Sequence, residues 1–247
     1  MEHPPQIPHM EPPIPEQTFV APRQRELVLG LVYLVLHMLV IGSVIYRIAF
    51  VLGISLDTMG LNLIYLSIAA LFLVLAMRHY LIESFACFRA YGLRNFKLFG
   101  LGAAIRYGGT IPLAIATVLL LPDFATTPNN EVVLELAHDH FFLTAFLAIV
   151  LAPIAEELLF RGVLYGGLRN KSKVLAYLVS TLLFAFLHIL SFLFLIPAAP
   201  LFLMMSLYIP AGFSLAWVYE KSGSIWTPIF LHALMNLVAL ALSGLLL

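Results

Sequence analysis

Three short polar clusters interrupt an otherwise apolar chain. They are Glu156 and Glu157 with Arg161 in "AEELLFRG", His188 in "FAFLH" with Phe184 one turn before it, and His232 with Asn236 in "LHALMN". A carboxylate and an imidazole around one water form a general-base pair, and a second histidine with an amide offers N–H donors to an oxyanion. That set hydrolyses an amide without a covalent intermediate. No serine nucleophile motif is present, and the single cysteine, Cys87, lies outside these clusters and reads as a buried small side chain. Glu156, His188 and His232 would also suit Zn²⁺ with water in the fourth position. Yet there is no HExxH, the three groups come from separate segments, and asparagine is a poor zinc ligand. Activation without a metal is therefore the favoured reading, with zinc as the alternative.

These residues need positioning elements, and composition says which. Of 247 residues, 62% are hydrophobic and 11% charged, against about 25% charged in a soluble domain. The mean hydropathy is +1.01. The fold class is an all-α polytopic membrane bundle, because lipid leaves no partner for open backbone groups. Seven apolar runs approach the ~20 residues a span needs: Leu27–Tyr46, Leu61–Met77, Leu98–Leu121, Phe141–Phe160, Val174–Ile196, Leu201–Tyr219 and Ile225–Leu247. "RHYLIESFACFRAYGLRNFK" reads as an interfacial helix, an eighth if it counts.

The polar clusters fall on the fourth, fifth and seventh runs. Glu157 and Arg161 are i,i+4 and can pair, while Glu156 is turned about 100° away. At ~1.5 Å per residue from the basic ends, Glu156 lies ~14 Å deep, His188 ~21 Å, His232 ~10 Å and Asn236 ~16 Å. All four are thus expected in one central layer. His37 and Arg106 are also ionisable and within spans. His37 reads as helix packing, and Arg106 as a snorkelling or carboxylate-pairing group.

Loop charge orients the bundle. Ten bases fall on one side (Arg23, Arg25, Arg78, Arg89, Arg94, Lys97, Arg169, Lys171, Lys173 and Lys221) and only Arg47 on the other, whose loop "PDFATTPNNEVVLELAHDH" is acidic. Positive-inside places the N-terminus in the cytoplasm and the C-terminus outside. Residues 1–22, with seven prolines, read as a disordered cytoplasmic tail without a signal peptide, in which His3 and His9 are solvated. The expected organisation is that tail, then N-terminal spans and an interfacial segment over 23–130, then a catalytic core over 131–247. Balanced charge gives no sign of nucleic-acid binding.

In order, "EELLFRG", "FAFLH" and "HALMN" fit the patterns EExxxR, FxxxH and HxxxN. Together they resemble the CAAX-protease and bacteriocin-processing family of intramembrane endopeptidases, over roughly residues 140–245. The resemblance implies that Glu156 activates water with His188, that His232 and Asn236 stabilise the oxyanion, and that Glu157, Arg161 and Phe184 support them. It implies a peptide or membrane-protein substrate, and the setting read from the sequence is a bacterial inner membrane. The sequence shows no prenyl pocket, and oligomeric state is not legible. The competing class is a non-catalytic membrane protein, either an immunity or binding protein or a small transporter. The halves show no internal repeat of the kind transporters favour.

Overall fold

A computed structural model of the chain describes residues 19–122 and 127–244. Eight helices organise them: α1 Gln24–Val51, α2 Thr58–Ala76, α3 Arg78–Ala90, α4 Gly92–Leu120, α5 Asn129–Arg169, α6 Lys173–Leu187, α7 Ala198–Ser222 and α8 Trp226–Gly244. Helices α1, α2, α4, α5 and α7 are long and apolar enough to cross a membrane, and α6 and α8 are shorter apolar helices. Large apolar side chains such as Phe50, Leu119 and Phe142 face outward, as a surface solvated by lipid requires. The chain is a multi-pass membrane protein.

The core gathers on the second half of α5. Leu158, Tyr165, Leu215, Val218, Tyr219 and Leu231 are wholly buried there. Helix α3 covers the first part of the segment read from the sequence as interfacial, whose remainder opens α4. It is stitched to the α7–α8 turn: Ser224 Oγ donates to the Ser84 carbonyl at 2.7 Å, and the Ile225 N–H donates to Ser84 Oγ at 2.8 Å. Glu26 caps two helices at once, accepting from the Arg23 N–H at 2.7 Å and the Tyr80 N–H at 3.0 Å. Cys87 lies in α3, away from the polar clusters, where burial pushes its thiol pKa up.

The bases of the expected inner side meet at one end of the bundle. Arg23 pairs with Glu83, Arg94 donates to the Lys221 carbonyl at 3.0 Å, and Glu220 binds Arg169 at 2.6 Å and Lys173 at 2.7 Å.

Three sequence expectations change. Residues 1–18, with His3 and His9, lie outside the described residues. Residues 19–22, placed with the tail, are packed instead. The Val20 N–H donates to the Gly223 carbonyl at 3.0 Å, and Phe19 sits 4.9 Å from the Tyr219 ring, with the Arg169 guanidinium 3.9 Å over it. The acidic loop is helical from Pro128 onward. Thr127 caps it through the Asn130 N–H at 3.4 Å, and a break at His140 joins it to the rest of α5. The fifth run is not one span. Helix α6 ends at Leu187, and a short 3₁₀ turn, Leu190–Phe192, leads towards Pro197. Fifteen residues cover only ~22 Å, so His188 stands at a helix end rather than within a helix.

Candidate active site

Helix α5 carries both glutamates between two π-helical stretches, Leu147–Leu151 and Leu158–Tyr165. Such widened turns recur at functional sites because they re-aim side chains. Here the sequence supplies a cause. The Ala152 N–H bonds back to the Leu147 carbonyl, five residues earlier. In that register Pro153 would serve the Ala148 carbonyl, but proline has no N–H. Asn236 Nδ2 takes that carbonyl instead, at 2.7 Å. The asparagine thus braces the widened turn and keeps its second N–H.

The adjacent glutamates occupy different environments. Glu157 and Arg161 are fully buried, and Arg161 Nη1 donates to Glu157 Oε1 at 2.9 Å. The same oxygen accepts from His232 Nδ1 at 2.8 Å. Arg161 Nη2 reaches across to the Gly212 carbonyl of α7 at 2.8 Å. A side chain at Gly212 would press on Phe184 and Thr181 at 3.2 Å, so the glycine permits that close crossing. Phe184 is the plate of the assembly. Arg161 lies 4.6 Å over its ring, and the rings of His188 and His232 stand 4.5 and 5.9 Å from it.

Glu156 faces the other way. Its Oε2 stands 4.0 Å from His188 Nε2, with side-chain exposures of 26% and 18% against 0% for Glu157 and Arg161. That gap is too long for a direct hydrogen bond and near the spacing of two acceptors that share a water. His188 Nδ1 donates to the Phe184 carbonyl at 2.8 Å. A carbonyl can only accept, so Nδ1 holds the proton and Nε2 presents its lone pair. The same logic applies to His232, whose Nδ1–H faces a carboxylate. A neutral His232 then offers a lone pair at Nε2, and it donates to an oxyanion only as imidazolium.

The structure therefore brings Glu156 to His188 and His232 to Glu157. It sets Asn236 one helical turn beyond His232, beside Ala148. His37 is a packing residue, stacked 4.1 Å from Tyr65. Sequence reasoning missed Tyr208, whose ring stacks 4.4 Å from His188 and whose hydroxyl shares a hydrogen bond of 2.7 Å with Thr127. It also missed the carbonyls of Ala148, Phe184 and Gly212. No signal marks a backbone carbonyl, and a tyrosine is ordinary in a span.

Residues 138–238 match the family described as "Type II CAAX prenyl endopeptidase Rce1-like". The matched stretch is about two fifths of the chain. Similar proteins include a Bacillus subtilis (strain 168) protein named "Putative membrane peptidase YdiL", 33% identical over 95 residues, which are 38% of this chain and 34% of that one. Another is the "UPF0177 protein YxdF" of Lactococcus lactis subsp. lactis (strain IL1403), 32% identical over 88 residues, 36% of this chain and 43% of that one. The match spans about a third of the first relative's length and less than half of the second's. No solved structure matches this chain. Within the CAAX-protease-like region stand all three motifs, whereas α1 to α4 lie outside it.

Proposed function

We propose that the protein is an intramembrane endopeptidase that cleaves a peptide or membrane-protein segment with water activated by Glu156 and His188. The observation that carries this reading is the contrast between the two glutamates. Glu157 is locked, while Glu156 is half-open beside an imidazole lone pair. Water attacks the scissile carbonyl carbon as its proton passes to Glu156. His232, as imidazolium backed by Glu157, and the second N–H of Asn236 stabilise the oxyanion. When the tetrahedral intermediate collapses, the C–N bond breaks and Glu156 returns the proton to the leaving nitrogen. A carboxylate behind an imidazole supports its charge in the same way in the serine-protease triad.

Zinc is the alternative by donor type alone: among the described residues no three His, Cys, Asp or Glu side chains are gathered so as to hold a metal ion. Both imidazoles have Nδ1–H engaged and Nε2 free, the orientation that outer-shell partners impose on zinc-binding histidines. Glu156, His188 and His232 would have to draw together to hold the ion, which when bound would acidify water. The scheme above needs no metal, and no spacing in the sequence belongs to an established zinc motif.

The test is comparative peptidomics of the native host carrying wild type or Glu156→Gln. The reading predicts that specific cleavage products vanish and their precursors accumulate at unchanged protein level. An unchanged peptidome with the normal phenotype retained would make the protein a binding or immunity factor instead.

A further inference from the structure

Helix α4 lies outside the region that matches the CAAX-protease family, yet it sends a cation to the site's layer. Arg106 is the middle residue of Gly92–Leu120. It stands four residues after Gly102 and three before Gly109, so all three share one face. That face is pressed on α7. A side chain at Gly102 would strike Val218 and Leu231 at 2.6 Å, and one at Gly109 would strike Pro210 at 2.8 Å. Ser214 Oγ donates to the Gly102 carbonyl at 2.6 Å. The depths agree as well. Arg106 is ~21 Å from the start of α4, Tyr208 ~21 Å from the basic end of α7, His188 ~22 Å from the start of α6 and Glu156 ~20 Å from the end of α5. Tyr208 stacks on His188 and lies within electrostatic reach of both Arg106 and Glu156.

The guanidinium is only partly satisfied there, by a hydrogen bond with the Tyr107 side chain. Its Nε and Nη1 are buried without a hydrogen-bond partner, and its Cζ rests 5.0 Å from the Tyr107 ring. An ionised group at this depth costs a few kcal/mol. Glu157 is held by Arg161 and His232, and Glu156 faces His188 at 4.0 Å without a direct hydrogen bond. A guanidinium fork matches a carboxylate with two parallel hydrogen bonds.

We infer that Arg106 is a specificity-determining residue that binds a carboxylate of the substrate beside the scissile bond, with Tyr208 separating that anion from His188. The inference rests on the peptidase reading for its setting but not for its readout. The carboxylate has two chemical sources, a chain terminus and an Asp or Glu side chain.

Three synthetic apolar peptides distinguish them: one with a free C-terminal carboxylate and no acidic side chain, one amidated with an internal Asp, and one amidated with Asn. Each is fluorescently labelled and titrated into proteoliposomes of Glu156→Gln protein, which retains Arg106 and needs no turnover. One of the two acidic peptides should bind about 10- to 100-fold tighter than the neutral one, the size of a charge-assisted pair. The preferred peptide names the source. Arg106→Gln should erase the preference and leave neutral-peptide binding unchanged, and Arg106→Lys, which keeps charge without the fork, should fall between. Equal binding of all three peptides overturns the inference, as does a preference that survives Arg106→Gln in folded protein. A clear binding preference beside an unchanged host peptidome in Glu156→Gln would leave the carboxylate site standing and sink the peptidase reading.

Discussion

At the scale of single residues, the candidate site holds one partly exposed glutamate, Glu156, beside one that is fully buried, Glu157. Glu157 accepts from both Arg161 and His232 where it is fully buried, so each donor is needed to offset its desolvation. Arg161→Ala should strand that carboxylate and cost ~3–5 kcal/mol. Changing Glu157 to Gln as well should recover part of this, because the stranded charge goes too. Thermal unfolding in detergent checks it, and a double variant no more stable than Arg161→Ala would show that the pair is not the cause. The ionisable residues were legible because a carboxylate or imidazole in an apolar run is costly and therefore conspicuous. Which atom meets which was not legible. Spacing paired Glu157 with Arg161 correctly but could not show His232 arriving from α8 at the same oxygen.

At the scale of elements, backbone exceptions place the site. Pro153 frees the Ala148 carbonyl, and Asn236 closes it. Pro153→Ala should return an N–H to the helix and make Asn236 less necessary to its fold. The stability loss of Asn236→Ala should then shrink by ~1 kcal/mol in the Pro153→Ala background, the net worth of one hydrogen bond. Additive losses in a double-mutant cycle would refute the brace. Asn236→Ala should also lower turnover by ~10²–10³-fold if its second N–H serves the oxyanion. Hydropathy located most helices but not the ends that matter. The run Val174–Ile196 stays apolar through the turn after His188, so no composition change marks the break. The Thr127–Pro128 start with Glu131 in the first turn is a readable cap, but the acids around it resemble a loop.

At the scale of the molecule, α5 is the axis on which α1, α2, α6 and α8 converge, and the basic ends gather on one face of the bundle. With ten bases on that side against one, the C-terminus should lie outside. A periplasmic reporter fused after Leu247 should be active and a cytoplasmic one silent, and the reverse would overturn this orientation. The central claim is that neighbouring glutamates divide the work, Glu156 as the proton carrier and Glu157 as the buried anchor of Arg161 and His232. The most direct test measures turnover and melting temperature together for Glu156→Gln and Glu157→Gln, using a substrate recovered from the host. Glu156→Gln should melt like wild type and turn over nothing, whereas Glu157→Gln should melt lower and keep measurable turnover while folded. Turnover retained by Glu156→Gln, or abolished by Glu157→Gln at wild-type stability, would contradict the account.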